Sequence, residues 1–164
     1  MFRNALGPAQ MRGDAHVAAL SLRQGIATPG DARFAYRGER RSMQTVKGSC
    51  HCGAVEFEVD LIDGHENIRR CNCSLCSRKG AIMAGVTLDR LRVTRGADKL
   101  SLYQWNTGIA KHYFCSICGI YTHHQRRSVP TEYGYNLACI EGIDLATIGP
   151  IGASNGASQS LVEP

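Results

Sequence analysis

Seven of the eight cysteines fall into three tight groups: Cys50-His51-Cys52-Gly53, Cys71-Asn72-Cys73-Ser74-Leu75-Cys76 and Cys115-Ser116-Ile117-Cys118-Gly119. Thiolates two to three residues apart on a tight turn can face one ion, and zinc takes four such ligands in a tetrahedron. A glycine directly after the last cysteine of the first and third groups permits a positive φ, so the chain can fold back with its amides toward the sulfurs. These two groups share the Cys-Gly ending and supply two ligands each. Together they make a closed site of Cys50, Cys52, Cys115 and Cys118 that ties distant parts of the chain, as a structural zinc does. The middle trio, Cys71, Cys73 and Cys76, then has three protein ligands and an open position, the arrangement of a catalytic zinc. Zinc with three thiolates bears one net negative charge. It is a weaker Lewis acid than zinc on three neutral histidines, and suited to holding a substrate sulfur. Spacing alone leaves other pairings open, including a second closed site completed by His65, His112, His123 or His124.

The remaining candidates carry less. Cys139 lies in the apolar run Asn136-Leu137-Ala138-Cys139-Ile140 and reads as a small buried hydrophobe. His51 sits between two ligands and points away from their zinc. His123 and His124 are neighbours on a strand and face opposite sides, so at most one lines a given site. His51, His112 and His124 are candidate acid/base groups, and Lys79 and Lys111 candidate partners for carboxylates. Arg126-Arg127 can bind a carboxylate bidentately, though such a pair is commonly surface charge.

The elements that must position these groups are strands. Residues 54–60 alternate strictly, with Val55, Phe57 and Val59 on one face and Glu56, Glu58 and Asp60 on the other. Residues 81–86, 91–94, 100–105, 111–114, 120–123 and 135–140 are further short strand candidates. Asp98-Lys99 and Asn106-Thr107-Gly108 read as turns. No long amphipathic helix is expected in the cysteine-bearing part; one helical turn is expected after Cys73 or near residues 144–148. The zinc domain is expected over residues 43–148, followed by a Gly/Ser-rich tail over 149–164 with a turn at Asn155-Gly156. Residues 1–42 have no cysteine, no lysine and no periodicity. They read as a leader that is either disordered, translated upstream of a natural start at Met43, or an organellar transit segment.

The net charge of +5 suggests nucleic acid until it is located. The leader holds seven arginines against three acids, whereas residues 43–164 hold twelve basic against eleven acidic residues. The cysteine-bearing part is close to neutral, which argues against phosphate neutralisation. No run approaches the ~18 apolar residues of a membrane span, and no secretory pattern opens the chain. Reduced thiols fit a cytoplasmic protein.

The segments Gly48-Ser49-Cys50-His51-Cys52-Gly53-Ala54-Val55, the middle group, and Lys111-His112-Tyr113-Phe114-Cys115-Ser116-Ile117-Cys118-Gly119 resemble the glutathione-dependent formaldehyde-activating enzyme family, also called the centromere-protein-V family. The resemblance runs from about Gln44 to about Asp144 and includes Tyr121-Thr122-His123-His124-Gln125-Arg126-Arg127 and Glu141-Gly142. It implies a mainly β fold, the β-tent of short antiparallel strands. It also implies two zinc ions: one on Cys50, Cys52, Cys115 and Cys118, and a catalytic one on Cys71, Cys73 and Cys76. The implied activity is reversible condensation of glutathione with formaldehyde, a carbon–sulfur lyase reaction. Small-molecule thiol and aldehyde are the expected partners, with no nucleic acid and no membrane. A non-catalytic zinc module that binds a protein partner is the alternative. The sequence leaves the oligomeric state open.

Overall fold

The computed structural model describes residues 42–158. The leader expectation therefore lies outside the described residues, save for Ser42. The strands β1 (Met43–Ser49), β2 (Glu56–Ile62) and β5 (Leu91–Arg95) form an antiparallel sheet in the order β1-β2-β5. A second sheet contains β3 (Glu66–Cys71), β4 (Met83–Thr87), β6 (Leu100–Tyr103), β7 (Lys111–Cys115), β8 (Tyr121–Gln125), β9 (Glu132–Asn136) and β10 (Gly152–Ser154). Its order is β10-β3-β4-β9-β8-β7-β6, antiparallel except where β10 runs parallel to β3. Among the described residues there is one α-helix, α1 (Ser74–Lys79), and none long and apolar enough to cross a membrane. The molecule is mainly β, as the sequence implies.

The alternation in β2 does what period two requires. Phe57, Val59 and Leu61 are buried against Ala84, Val86, Tyr135, Leu137 and Ile140. Each large apolar side chain of this set contributes about 1.5–3 kcal/mol by leaving water. On the outer face Arg92 bridges Glu58 at 2.6 Å and Asp60 at 2.7 Å. These groups are half exposed, so the bridge pins the β2–β5 register more than it stabilises the fold.

Two boundaries differ from the sequence reading. The apolar run over residues 135–140 is not one strand: β9 ends at Asn136, and Leu137–Cys139 is a 3₁₀ turn. The Asn136 side chain accepts from Ala138 N at 3.1 Å and so competes with the sheet ladder. Residues 144–148 form a turn rather than a helix, with the Asp144 carboxylate accepting from Ala146 N. The helical turn after Cys73 is present as α1. Strands β1, β3 and β10 are not among the strand candidates of the sequence, and β3 and β10 have no period-two signature. Cys139 is buried in the core, its sulfur 3.6 Å from the Tyr121 carbonyl oxygen.

Candidate metal centres and the cleft beside them

Cys50 and Cys52 lie on the turn joining β1 to β2. Cys115 ends β7 and Cys118 lies on the turn into β8. Gly53 and Gly119 have φ of 71° and 74°, the left-handed geometry that the Cys-Gly endings call for. The Cys50 and Cys52 sulfurs are 3.6 Å apart, those of Cys52 and Cys115 are 3.8 Å apart, and all four lie within 4.8 Å of one another. Ligands at ~2.3 Å from a tetrahedral zinc stand ~3.8 Å apart, so the spacing fits that ion. It is far from the ~2.0 Å of a disulfide. Val55 N donates to Cys50 Sγ at 3.3 Å. The amides of Cys52 and Ile120 bring the Cys118 thiol down to about 6. Cys50 and Cys115 are packed with Val55 in a small core of their own.

The middle trio is built on one junction. Cys71 ends β3, Cys73 caps α1, and Cys76 lies within the helix. Cys76 N donates to Cys73 Sγ at 3.4 Å, and the three sulfurs lie within 4.8 Å of one another. Burial works against the Cys73 thiolate, but the amides at the start of the helix prevail and its pKa falls. Burial raises that of Cys76. A donor set of three soft thiolates at this separation suits zinc. Among the described residues no histidine, carboxylate or fourth cysteine joins the trio. His65 is held instead by the Tyr135 hydroxyl at 2.7 Å, and His123 stacks on Tyr113.

The chain's last described segment closes over this trio. Strand β10 pairs Ser154 with Cys71. The Asn72 side chain donates to Asn155 Oδ1 and accepts from Ala157 N, both at 2.9 Å. A Cβ on Gly156 would stand 2.5 Å from Cys71 Sγ. Gly156→Ala is therefore expected to push Cys71 out of line and lower metal occupancy of the middle trio at least tenfold in a chelator competition. The four-cysteine group should keep its metal. Equal retention at both groups would show that the tail does not constrain Cys71.

The trio opens on a cleft of about 450 Å³. A bulge in β8 shapes its far wall. Tyr113 pairs with His123 and Phe114 with Tyr121, so Thr122 is an extra residue on β8. By plain alternation Tyr121 would share the face of His123; the bulge turns it to the face of His112 and His124. The Tyr121 hydroxyl lies 2.8 Å from His112 Nδ1, and the rings of His112 and His124 stack at 5.3 Å. Gly134, opposite His124, leaves room for that ring, since a Cβ there would meet it at 2.4 Å. Burial lowers His112 to about 4, with the Lys79 charge adding to it. Burial likewise lowers His124 to about 3. Both imidazoles are neutral near pH 7.

Lys79, Arg69, Arg126 and Arg127 also line the cleft, and among the described residues no carboxylate does. Arg126 is paired with Glu132. Burial lowers Lys79 to about 8, against the pull of the Cys76 and Cys73 thiolates. His51 is exposed on the outer turn and does not line the cleft, and neither does Lys111. Of the acid/base candidates, the structure brings only His112 and His124 to the trio. Sequence reasoning missed the Tyr121 hydroxyl, Trp105, Arg69 and the Gly156 segment. A strand bulge and a parallel pairing from the chain's end leave no periodic signal by which to find them.

A mainly β scaffold carrying one group of four cysteines and one of three, each able to hold a metal ion, defines the class of protein. Residues 45–150 match the glutathione-dependent formaldehyde-activating enzyme family, and the chain belongs to that family. A Halomonas elongata protein described as a putative glutathione-dependent formaldehyde-activating enzyme is 37% identical over 83 residues, covering 44% of this chain and 51% of that protein. The chain thus spans about half the length of this curated relative. The crystal structure of a Rhodobacter sphaeroides protein, a structural-genomics target, is 56% identical with a TM-score of 0.63, covering 66% of this chain and 99% of that one.

Proposed function

We propose that the chain is a zinc-dependent carbon–sulfur lyase acting on a thiol–aldehyde adduct of the S-(hydroxymethyl)glutathione type. In this reading a structural zinc sits on Cys50, Cys52, Cys115 and Cys118, and a catalytic one on Cys71, Cys73 and Cys76. The observation that carries it is the middle trio: three thiols without a fourth protein ligand among the described residues, opening on a cleft of substrate size. The family name and that of the Halomonas relative point to the same glutathione and formaldehyde chemistry.

Zinc held by Cys71, Cys73 and Cys76 would supply a Lewis acid that lowers the pKa of a thiol. The chain's own residues do the rest. Met83 and Trp105 give the cleft an apolar side, and its basic side chains attract an anionic thiol. The Tyr121 hydroxyl, fixed by His112, and the neutral His124 ring are placed to exchange a proton with the adduct's hydroxyl. Breakdown and formation of the carbon–sulfur bond are one equilibrium. None of the eight cysteines is in a disulfide, which suits a cytoplasmic location. The test is exchange spectroscopy on glutathione and formaldehyde with zinc-loaded protein. Exchange at least tenfold above the uncatalysed rate is expected; a rate no faster than the uncatalysed one retracts this substrate pair.

A further inference from the structure

Among the described residues, two buried side-chain polar atoms have no hydrogen-bond partner, Lys79 Nζ and His124 Nδ1, and both residues line the cleft beside the cysteine trio. An unpartnered ammonium out of water is costly, and a functional site is where such a cost is retained. The Tyr121 ring holds the Lys79 charge at 3.5 Å from its centroid. The ring face offers cation–π attraction but no lone pair for the three N–H donors.

We propose that Lys79 is a catalytic residue whose ammonium takes up the negative charge that forms on the substrate oxygen when a thiolate adds to the aldehyde carbon. This rests on the lyase reading above and names the group that reading leaves unassigned. The placement follows from α1. Lys79 stands three positions after Cys76, on the same side of the helix and on the element that Cys73 caps. Lys79 and the three cysteines line one cleft, so the cation faces the place where the sulfur is held. In the adduct, sulfur and oxygen share one carbon, so the oxygen lies next to any sulfur the trio orients. The four-carbon stem lets Nζ turn from the ring face to that oxygen. The other cations are less suited: Arg126 is paired with Glu132, Arg69 donates to the Asn67 carbonyl at 2.7 Å, and Arg127 lies on the loop after β8 rather than on the helix that carries Cys76. Burial keeps His112 and His124 neutral.

The step balances without a co-reactant. The thiol releases its proton to water, and the thiolate pair forms the carbon–sulfur bond. The carbonyl π pair moves onto oxygen, and the alkoxide, held by the Lys79 ammonium, takes a proton from the Tyr121 and His124 side of the cleft, which regains it from water. Nothing is oxidised or reduced. Breakdown of the adduct runs the same steps in reverse.

Thioacetate, an anion with sulfur and oxygen on one carbon, is a probe for this geometry; ethanethiol is its partner without the oxygen. Calorimetric titration of each into zinc-loaded parent, Lys79→Met and Lys79→Arg protein reads the contact without turnover. Lys79→Met keeps the apolar stem over Tyr121, and metal content checks that it is intact. It is expected to weaken thioacetate at least tenfold, to leave ethanethiol within twofold, and to lower kcat about 10²-fold, the usual loss of one oxyanion donor. Lys79→Arg should recover most of the thioacetate affinity. Unchanged thioacetate binding in Lys79→Met, or equal weakening of both probes, overturns the proposal and leaves the lyase reading standing. So does a kcat loss seen with glutathione but not with its dimethyl ester, which would make Lys79 a carboxylate anchor. A parent that binds neither probe retracts the lyase reading together with this inference.

Discussion

Cys115→Ser is expected to yield insoluble or unfolded protein, or, if soluble, a melting temperature at least ~10 °C below the parent. Cys115 is fully buried in the small core with Cys50 and Val55, and its sulfur stands 3.8 Å from that of Cys52, 63 residues away in sequence. An ion shared by these residues ties the β1–β2 turn to the β7–β8 turn, two places in different sheets. Cross-linking a loop of that length restricts the unfolded chain by about 4 kcal/mol on the loop-entropy estimate. Structural zinc binding adds to folding directly, so losing one ligand removes more than the loop term. A serine hydroxyl in an apolar pocket also lacks the acceptors that would satisfy it. The measurement is thermal unfolding with metal content on the same sample. A soluble variant melting within ~3 °C of the parent would show that the four-cysteine group does not hold the fold.

The three cysteine groups were legible in the sequence because each rests on covalent spacing, while their division into four and three is left open by spacing and implied only by the family resemblance. The Cys-Gly endings mark turns with positive φ at Gly53 and Gly119, and the structure puts them there. The alternation of Val55, Phe57 and Val59 located the core face of β2 for the same reason: period two is a local property. What was not legible depends on long-range pairing. Tyr121 reaches the cleft through one extra residue in β8 opposite β7, and no residue type announces that slip. Gly156 meets Cys71 because β10 lies parallel to β3, a pairing between segments some eighty residues apart. The short, glycine-rich β10 reads as a loop in isolation. The Asn136 cap that ends β9 could have been suspected, since asparagine commonly diverts the backbone from a ladder, but the apolar run beyond it was the louder signal.

Cys73→Ser should do the opposite of Cys115→Ser: leave a folded protein and remove the chemistry. Cys71, Cys73 and Cys76 are close in sequence, so an ion there closes a short loop and restrains the unfolded chain little. The substitution also spares the helix. Cys73 is the N-cap of α1 and accepts from Cys76 N. Serine is among the best residues at that position, so the hydroxyl can take over the amide while the thiolate is lost. The expected result is a melting temperature within ~5 °C of the parent and a fall from two zinc ions per chain to one, following the two cysteine groups. Glutathione–formaldehyde exchange should drop to the uncatalysed rate, because two thiolates and a weak hydroxyl ligand do not retain zinc beside the cleft. Stability and turnover thereby separate the two groups. Unfolding as severe as that of Cys115→Ser would make both zinc sites structural and favour a non-catalytic zinc module. A folded variant that has lost one zinc yet exchanges as fast as the parent would remove the middle trio from the mechanism, and the His112–Tyr121 wall of the cleft would have to act without it.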